Sequence, residues 1–312
     1  MSNSPHVIPS GNTHRFDKEN FIINNTLRSG PIGVFDSGAG GLSIARAIRA
    51  QLPNEHILYL ADTQHAPYGS KPTELVTERA EHITRFLITL GAKLIVVACN
   101  TATVTSIKHL RTQFEHTTSP CPIVGVEPGI KLAHHIMSTT YPQNRKLGIT
   151  ANQTPLAVLA THNTLKTTAF RKLITTHTTH SSVILQPCPG FVDVVESGNL
   201  ADSTAFNTVT RILNPLLRRH INTFILGCTH FDFLAETFSK AANQPIQLIQ
   251  THEPVAKQVF NRLKNNQIIN PLITPPRDHF FCTTTDPLKI NIIERAYSKL
   301  WGANITMQCA EI

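Results

Sequence analysis

Short apolar runs alternate along this chain with stretches in which apolar residues recur every three or four positions. Ile32-Gly33-Val34-Phe35, Ile57-Leu58-Tyr59-Leu60, Leu94-Ile95-Val96-Val97 and Pro122-Ile123-Val124-Gly125-Val126 are strand-sized runs, the last closing at Glu127-Pro128. Between them, Ala45, Ile48 and Leu52 mark a helix that Pro53 stops. Val76, Ala80, Ile83, Leu87 and Leu90 mark a longer one ending at Gly91, and Val104, Ile107 and Phe114 a third. Lys146-Leu147-Gly148-Ile149 is expected to open a second set, continued by strands at Val183-Ile184-Leu185 and Thr223-Phe224-Ile225-Leu226. A helix through Ala205, Val209, Ile212 and Leu216 precedes the latter. Phe280-Phe281-Cys282 reads as a strand before a helix capped by Asp286, with Pro287 in its first turn. Such alternation predicts an α/β protein, its mostly parallel sheets flanked by helices.

The length of 312 residues allows two modest domains, and 41% hydrophobic with 15% charged residues fits a folded chain. No apolar run approaches the roughly 20 residues of a spanning helix, so no membrane insertion is expected. Residues 1–30 lack the basic start and apolar core of a secretory signal and read as an N-terminal extension. A cytoplasmic setting, which keeps thiols reduced, is the expectation. The net charge of +8 suits an anionic ligand. Nucleic acid is disfavoured, because no dense basic run occurs and aromatics are only 6%. The 16 histidines are mostly scattered among small polar residues, as in Thr175-Thr176-His177-Thr178-Thr179-His180, and read as surface groups.

Two cysteines change this picture. Leu94-Ile95-Val96-Val97-Ala98-Cys99-Asn100-Thr101 and Thr223-Phe224-Ile225-Leu226-Gly227-Cys228-Thr229-His230 are nearly the same phrase: an apolar strand, a small residue, a thiol, then polar side chains. Parallel sheets bind ligands beyond the carboxyl ends of their strands, so both thiols fall where chemistry is expected. Two thiols facing one ligand can take a proton from one face and return it on the other, which is cofactor-independent racemisation. The blander alternatives are buried packing cysteines, a disulfide or a metal site. Even the closest pair, Cys99 and Cys121, is far from C-x-x-C spacing, and Cys228 with His230 has no second ligand pair, so neither metal nor cofactor is called for. Cys282 and Cys309 read as packing residues. A strand end feeding a helix N-terminus favours the thiolate, leaving one sulfur as base and the other as acid. Removing an amino-acid α-proton also needs donors where charge develops. Ser37, Asn100, Thr101 and Thr229 are neutral donors, and the backbone at Tyr68-Gly69 could hold a distal carboxylate. Asp36 and His230 are candidates to orient or share protons with the thiols, against the alternative that all these residues merely form turns and caps.

Asp36-Ser37-Gly38-Ala39-Gly40-Gly41, Pro67-Tyr68-Gly69, Ala98-Cys99-Asn100-Thr101-Ala102-Thr103, Gly125-Val126-Glu127-Pro128 and Gly227-Cys228-Thr229-His230-Phe231 resemble, in order, the motifs of glutamate racemases in the aspartate/glutamate racemase superfamily. The resemblance runs from about Pro31 to the C-terminal region. It implies two similar α/β domains with the active site in the cleft between them: residues 31–122 and 250–312 forming the first, 123–249 the second. It also implies interconversion of L- and D-glutamate, for peptidoglycan, without pyridoxal phosphate or metal. Cys99 and Cys228 would be the acid/base pair, assisted by Asp36 and His230. Glu196 matches an acidic position on the Cys228 side, and Asp36, Ser37, Tyr68, Gly69, Asn100, Thr101, Cys228, Thr229 and His230 would contact substrate. A UDP-linked peptidoglycan precursor as regulator and a homodimer as assembly are left open. Three positions depart from the family pattern: Ala151-Asn152 where a Gly-Thr pair is common, Asp232 where a proline follows Phe231, and Gln250-Thr251 where Asp-Ser is common.

Other readings remain at this level. An aspartate or other amino-acid racemase of the same superfamily would use the same thiols. A dinucleotide-binding protein is suggested by Gly38-Ala39-Gly40-Gly41 and the later Asp62, though Ser43 interrupts the G-x-G-x-x-G fingerprint. A nucleic-acid-binding module rests on net charge alone.

Overall fold

The computed structural model describes residues 28–126, 129, 132–133, 155–177, 183–273 and 275–312. The expected strand at Lys146–Ile149, the Glu127-Pro128 and Ala151-Asn152 positions, the end of the threonine/histidine tract and nearly all of the N-terminal extension lie outside the described residues.

The elements alternate as the apolar pattern predicts. β1 (Ile32–Asp36), α1 (Leu42–Gln51), β2 (Ile57–Ala61), α2 (Thr73–Thr89), β3 (Leu94–Val97), α3 (Asn100–Phe114) and β4 (Ile123–Gly125) come first. Then follow β5 (Leu156–Ala160), α4 (His162–Lys166), α5 (Thr168–His177), β6 (Val183–Pro187), α6 (Phe191–Glu196), α7 (Ser203–Leu217), β7 (Thr223–Leu226), α8 (Ala235–Ala242) and β8 (Gln247–Ile249). The chain closes with α9 (His252–Asn265), β9 (Asp278–Cys282), α10 (Pro287–Trp301) and β10 (Met307–Cys309). Asp286 caps α10 as expected, accepting from the Leu288 N–H at 3.0 Å.

Among the described residues every pairing is parallel, in two sheets: six strands in the order β10-β9-β2-β1-β3-β4, and four in the order β6-β5-β7-β8. Period-two alternation divides the side chains of each strand between two apolar layers. On β3, Leu94 and Val96 join the large core shared by both sheets, whereas Ile95 and Val97 face α2 and α3. On β7, Phe224 and Leu226 enter the shared core and Ile225 the outer layer of the four-stranded sheet. The two sheets thus stand against each other through one continuous apolar body, which fixes how their carboxyl ends meet.

Three strands escaped the sequence pattern. β5 is an inner strand of the second sheet, yet the apolar pattern does not single out its run Leu156-Ala157-Val158-Leu159-Ala160, in which two of the five residues are alanine. β8 and β10 are three-residue edge strands, too short to show alternation. The expected domain boundary after residue 122 also needs correction, since β4 pairs with β3 and so belongs to the six-stranded sheet. His56 departs from the surface reading of the histidines: it is buried, and Nδ1 accepts from the Arg277 N–H at 2.8 Å.

Candidate functional site

The two cysteine phrases fold as equivalents. Each cysteine stands two residues beyond a four-residue strand, and the small residue before it is bonded to the neighbouring strand. The Ala98 N–H donates to Phe35 O at 2.8 Å, and the Gly227 N–H to Leu159 O at 2.7 Å. The carboxyl ends of the two sheets face each other, and the cleft between them is lined by Asp36, Ser37, Pro67, Tyr68, Gly69, Cys99, Asn100 and Thr101 from one side. Thr161, Val192, Cys228, Thr229 and His230 line the other. All eleven residues expected at the site except Glu196 line this cleft directly, and Glu196 reaches it through His230. A wider groove between α1 and α9 holds neither thiol.

The surroundings of the two sulfurs differ. Cys99 is the N-cap of α3, its Sγ accepting from the Ala102 N–H at 3.5 Å. Burial nevertheless pushes this thiol well above its ordinary pKa, and the neighbouring Asp36 pushes it further; the N–H groups of Ala102 and Ser37 offset only part. The helix-terminus argument for a thiolate is therefore outweighed here, and Cys99 stands protonated. Cys228 feeds a 3-10 turn, Thr229–Leu234, and its sulfur lies 3.7 Å from His230 Nδ1. The other ring nitrogen, Nε2, is 2.7 Å from Glu196 Oε1. Burial acts to lower the His230 pKa, but the hydrogen bonds with Cys228 and Glu196 win and hold it well above the usual value. Glu196 is driven the opposite way: burial opposes its charge, while His230, the Ala39 N–H and the Tyr297 hydroxyl more than compensate.

The glycine-rich loop after β1 has a steric explanation that replaces the nucleotide reading. A Cβ on Gly38 would stand 1.9 Å from Glu196 Oε1, and one on Gly40 would stand 2.4 Å from His230 Nδ1. The glycines let side chains of the second sheet lie on the backbone of the first. Asp62, the other element of that reading, is fully buried and committed to Arg79 (3.0 and 3.1 Å), Tyr68 (2.6 Å), His65 (3.0 Å) and Thr283 (2.8 Å).

Several expected donors are already engaged. Thr229 Oγ1 donates to Asp36 Oδ2 at 2.8 Å, Ser37 Oγ to Asp36 Oδ1 at 3.1 Å, and the Tyr68 hydroxyl to Asp62. Asn100 is the exception: it is 3% exposed, and neither amide atom has a partner among the described residues. An amide in this position can both donate to and accept from a group in the cleft. Thr161 and Thr164 were missed by the sequence reading. Their hydroxyls lie 3.4 and 3.1 Å from Thr101 Oγ1, bridging the two sheets. The signal was the apolar run Leu156–Ala160, which closes at Thr161, the N-cap of α4. The departures at Asp232 and Gln250 meet each other: Gln250 Nε2 lies 3.4 Å from Asp232 Oδ1, and His252 Nδ1 is 3.0 Å from Asp232 Oδ2.

No group of three His, Cys, Asp or Glu suited to a metal ion occurs among the described residues, and no helix there is long and apolar enough to cross a membrane. The sequence model of the Asp/Glu/Hydantoin racemase family matches residues 39–259. A glutamate racemase of Methylococcus capsulatus is 39% identical over 271 residues, spanning 87% of this chain and 92% of the relative. Among solved structures, glutamate racemase of Francisella tularensis in complex with D-glutamate superposes with a TM-score of 0.73 at 25% identity, covering 91% of this chain and 98% of that one. The Escherichia coli glutamate racemase, in complex with L-glutamate and the activator UDP-MurNAc-ala, gives 0.74 at 26% identity, covering 90% and 98%.

Proposed function

The chain belongs to the Asp/Glu racemase family as a glutamate racemase, an isomerase, and from that premise we propose that Cys99 and Cys228 are its two acid/base groups. The observation that carries this is the placement of both sulfurs on one cleft, with opposite charge beside them: the Asp36 carboxylate near Cys99, the His230 imidazolium near Cys228. In one direction Cys228, as thiolate, takes the α-proton and Cys99 delivers its own to the opposite face. In the other direction the roles exchange, so each turnover moves one proton onto one sulfur and one off the other.

His230 places positive charge against the Cys228 sulfur whenever that sulfur is negative, and Glu196 holds the ring in place. Asp36 faces the Cys99 side and is itself raised by burial, which suits it to exchange a proton there. The substrate carboxylates meet neutral donors among the described lining residues, Asn100 and Thr101 foremost. Asn100 and Thr101, at the start of the 15-residue helix α3, present the amide and the positive end of the helix dipole. Gly69 completes the set with the Tyr68 ring as a wall, and Ser37 and Thr229 border the substrate while their hydroxyls hold Asp36.

The same reading takes the segments of the six-stranded sheet as one domain and those of the four-stranded sheet as the other, closing over glutamate. It places the enzyme in the cytoplasm, supported by six free cysteines, and supplies D-glutamate for peptidoglycan. Control by a UDP-linked precursor is part of the proposal because the Escherichia coli relative binds such an activator. A homodimer is the proposed assembly, to be tested by sedimentation. The deciding experiment is Cys99→Ala and Cys228→Ala, each assayed from both enantiomers. Each variant is expected to fold and to lose racemisation; wild-type turnover by either one refutes the pair.

A further inference from the structure

Glu196 belongs to α6 of the four-stranded body, yet two of its three partners come from the other side. Oε1 accepts from the Ala39 N–H at 2.7 Å and meets His230 Nε2 at 2.7 Å, while Oε2 accepts from the Tyr297 hydroxyl at 3.0 Å. Ala39 follows β1, and Tyr297 lies on α10, between the strands β9 and β10 of the six-stranded sheet. Tyr297 is fully buried, and α10 approaches so closely that a Cβ on Gly198, two residues beyond Glu196, would stand 2.9 Å from Ala296 Cα.

We propose that Tyr297 is a positioning residue for the Cys228 half-reaction: from the opposite sheet, its hydroxyl fixes the Glu196 carboxylate that in turn orients His230 against the Cys228 sulfur. This rests on the assignment of Cys228 as an acid/base group. The hydroxyl is a neutral donor, since burial and the adjacent Glu196 hold its pKa well above the ordinary phenol value. The relay Tyr297–Glu196–His230–Cys228 crosses from one sheet to the other and is complete only while the two stay packed at α6 and α10. On the other side of the cleft, the Cys99 sulfur accepts from the Ala102 N–H of α3, within its own sheet.

The test is Tyr297→Phe, which keeps the ring and removes one donor. Because the equilibrium constant of a racemase is one, kcat/KM must fall equally from both enantiomers, by roughly 10-fold for one hydrogen bond to a charged group. The deuterium isotope effects separate the steps. With α-deuterated substrates, the effect on kcat/KM should rise for the enantiomer that Cys228 deprotonates and fall for its mirror image. A structural role alone would leave the two effects moving together, and either parallel or absent changes in a folded variant overturn the proposal. Cys228→Ser run alongside keeps the layers distinct, since wild-type turnover in that variant would remove the underlying assignment instead.

Discussion

Thr229 donates its hydroxyl to Asp36 Oδ2 across the cleft at 2.8 Å, tying the turn that carries Cys228 and His230 to the end of β1. This bond joins the two charge environments of the site. On its first-sheet side, burial and then Asp36 hold the Cys99 thiol well above its ordinary pKa; on its second-sheet side, hydrogen bonds with Cys228 and Glu196 hold His230 well above the usual imidazole value. The two thiols are equivalent in chain position and unequal in surroundings, which suits the proposed pairing of an acid with a base.

Glu196→Gln should move the alkaline limb of the pH–rate profile. His230 has a raised pKa, so its charge is present below that value and lost as pH rises through it. Glu196 is one of the groups that raise it. Without the carboxylate the limb is expected at lower pH, with a lower maximal rate. A limb at its wild-type position would show that His230 does not carry it.

Gly38→Ala places a methyl group 1.9 Å from Glu196 Oε1. The carboxylate cannot stay, and His230 loses its anchor. A displacement of about 1 Å in such a relay costs roughly 100-fold in kcat/KM, and the overpacking about 1–3 kcal/mol in stability. Steady-state rates with denaturant unfolding check both.

Asp62→Asn should destabilise by about 3–5 kcal/mol at neutral pH, because it leaves the buried Arg79 without its countercharge. Burial opposes the Asp62 charge, but Arg79, Tyr68 and His65 hold its pKa below the ordinary 3.8. Stability from this group is therefore present above the unfolded value and lost as pH falls through the folded one. Denaturant midpoints measured from pH 7 into the acid range should show this loss in the wild type and not in the variant.

Asp232→Pro and Gln250→Asp are expected to couple. The first removes the carboxylate that His252 and Gln250 share, leaving Gln250 only the backbone carbonyl of residue 232, and the second sets two carboxylates together. Made together they restore the proline and the aspartate of the family pattern and avoid the carboxylate pair, so the double variant should be more stable than the sum of the singles by about 0.5–3 kcal/mol. Strict additivity would mean that the two departures are independent.

Much of this was legible in the sequence because burial writes itself as periodicity. The strands β1, β3 and β7 and the helices α1, α2 and α7 follow from apolar spacing, and the repeated strand-small-Cys phrase located both thiols. β5 was not legible, because its alanines carry a weak apolar signal and its partners β6 and β7 lie far along the chain. Thr161 and Thr164 were hidden with it. The sign of the Cys99 shift could not be read either: a helix N-terminus is visible in sequence, whereas the burial and the adjacent Asp36 that outweigh it arise only in the folded chain. Tyr297 sits about a hundred residues from Glu196, with no local pattern to mark it.

The central claim, that two different groups serve the two faces of the α-carbon, is tested most directly in deuterated water at low conversion. Each glutamate enantiomer is incubated separately, and residual substrate and product are resolved and examined for α-deuterium. The account predicts product carrying solvent deuterium and residual substrate retaining its α-proton, from either starting enantiomer. Product that keeps the original α-proton, or substrate that exchanges in place as fast as product forms, would mean that one group serves both faces and would contradict it.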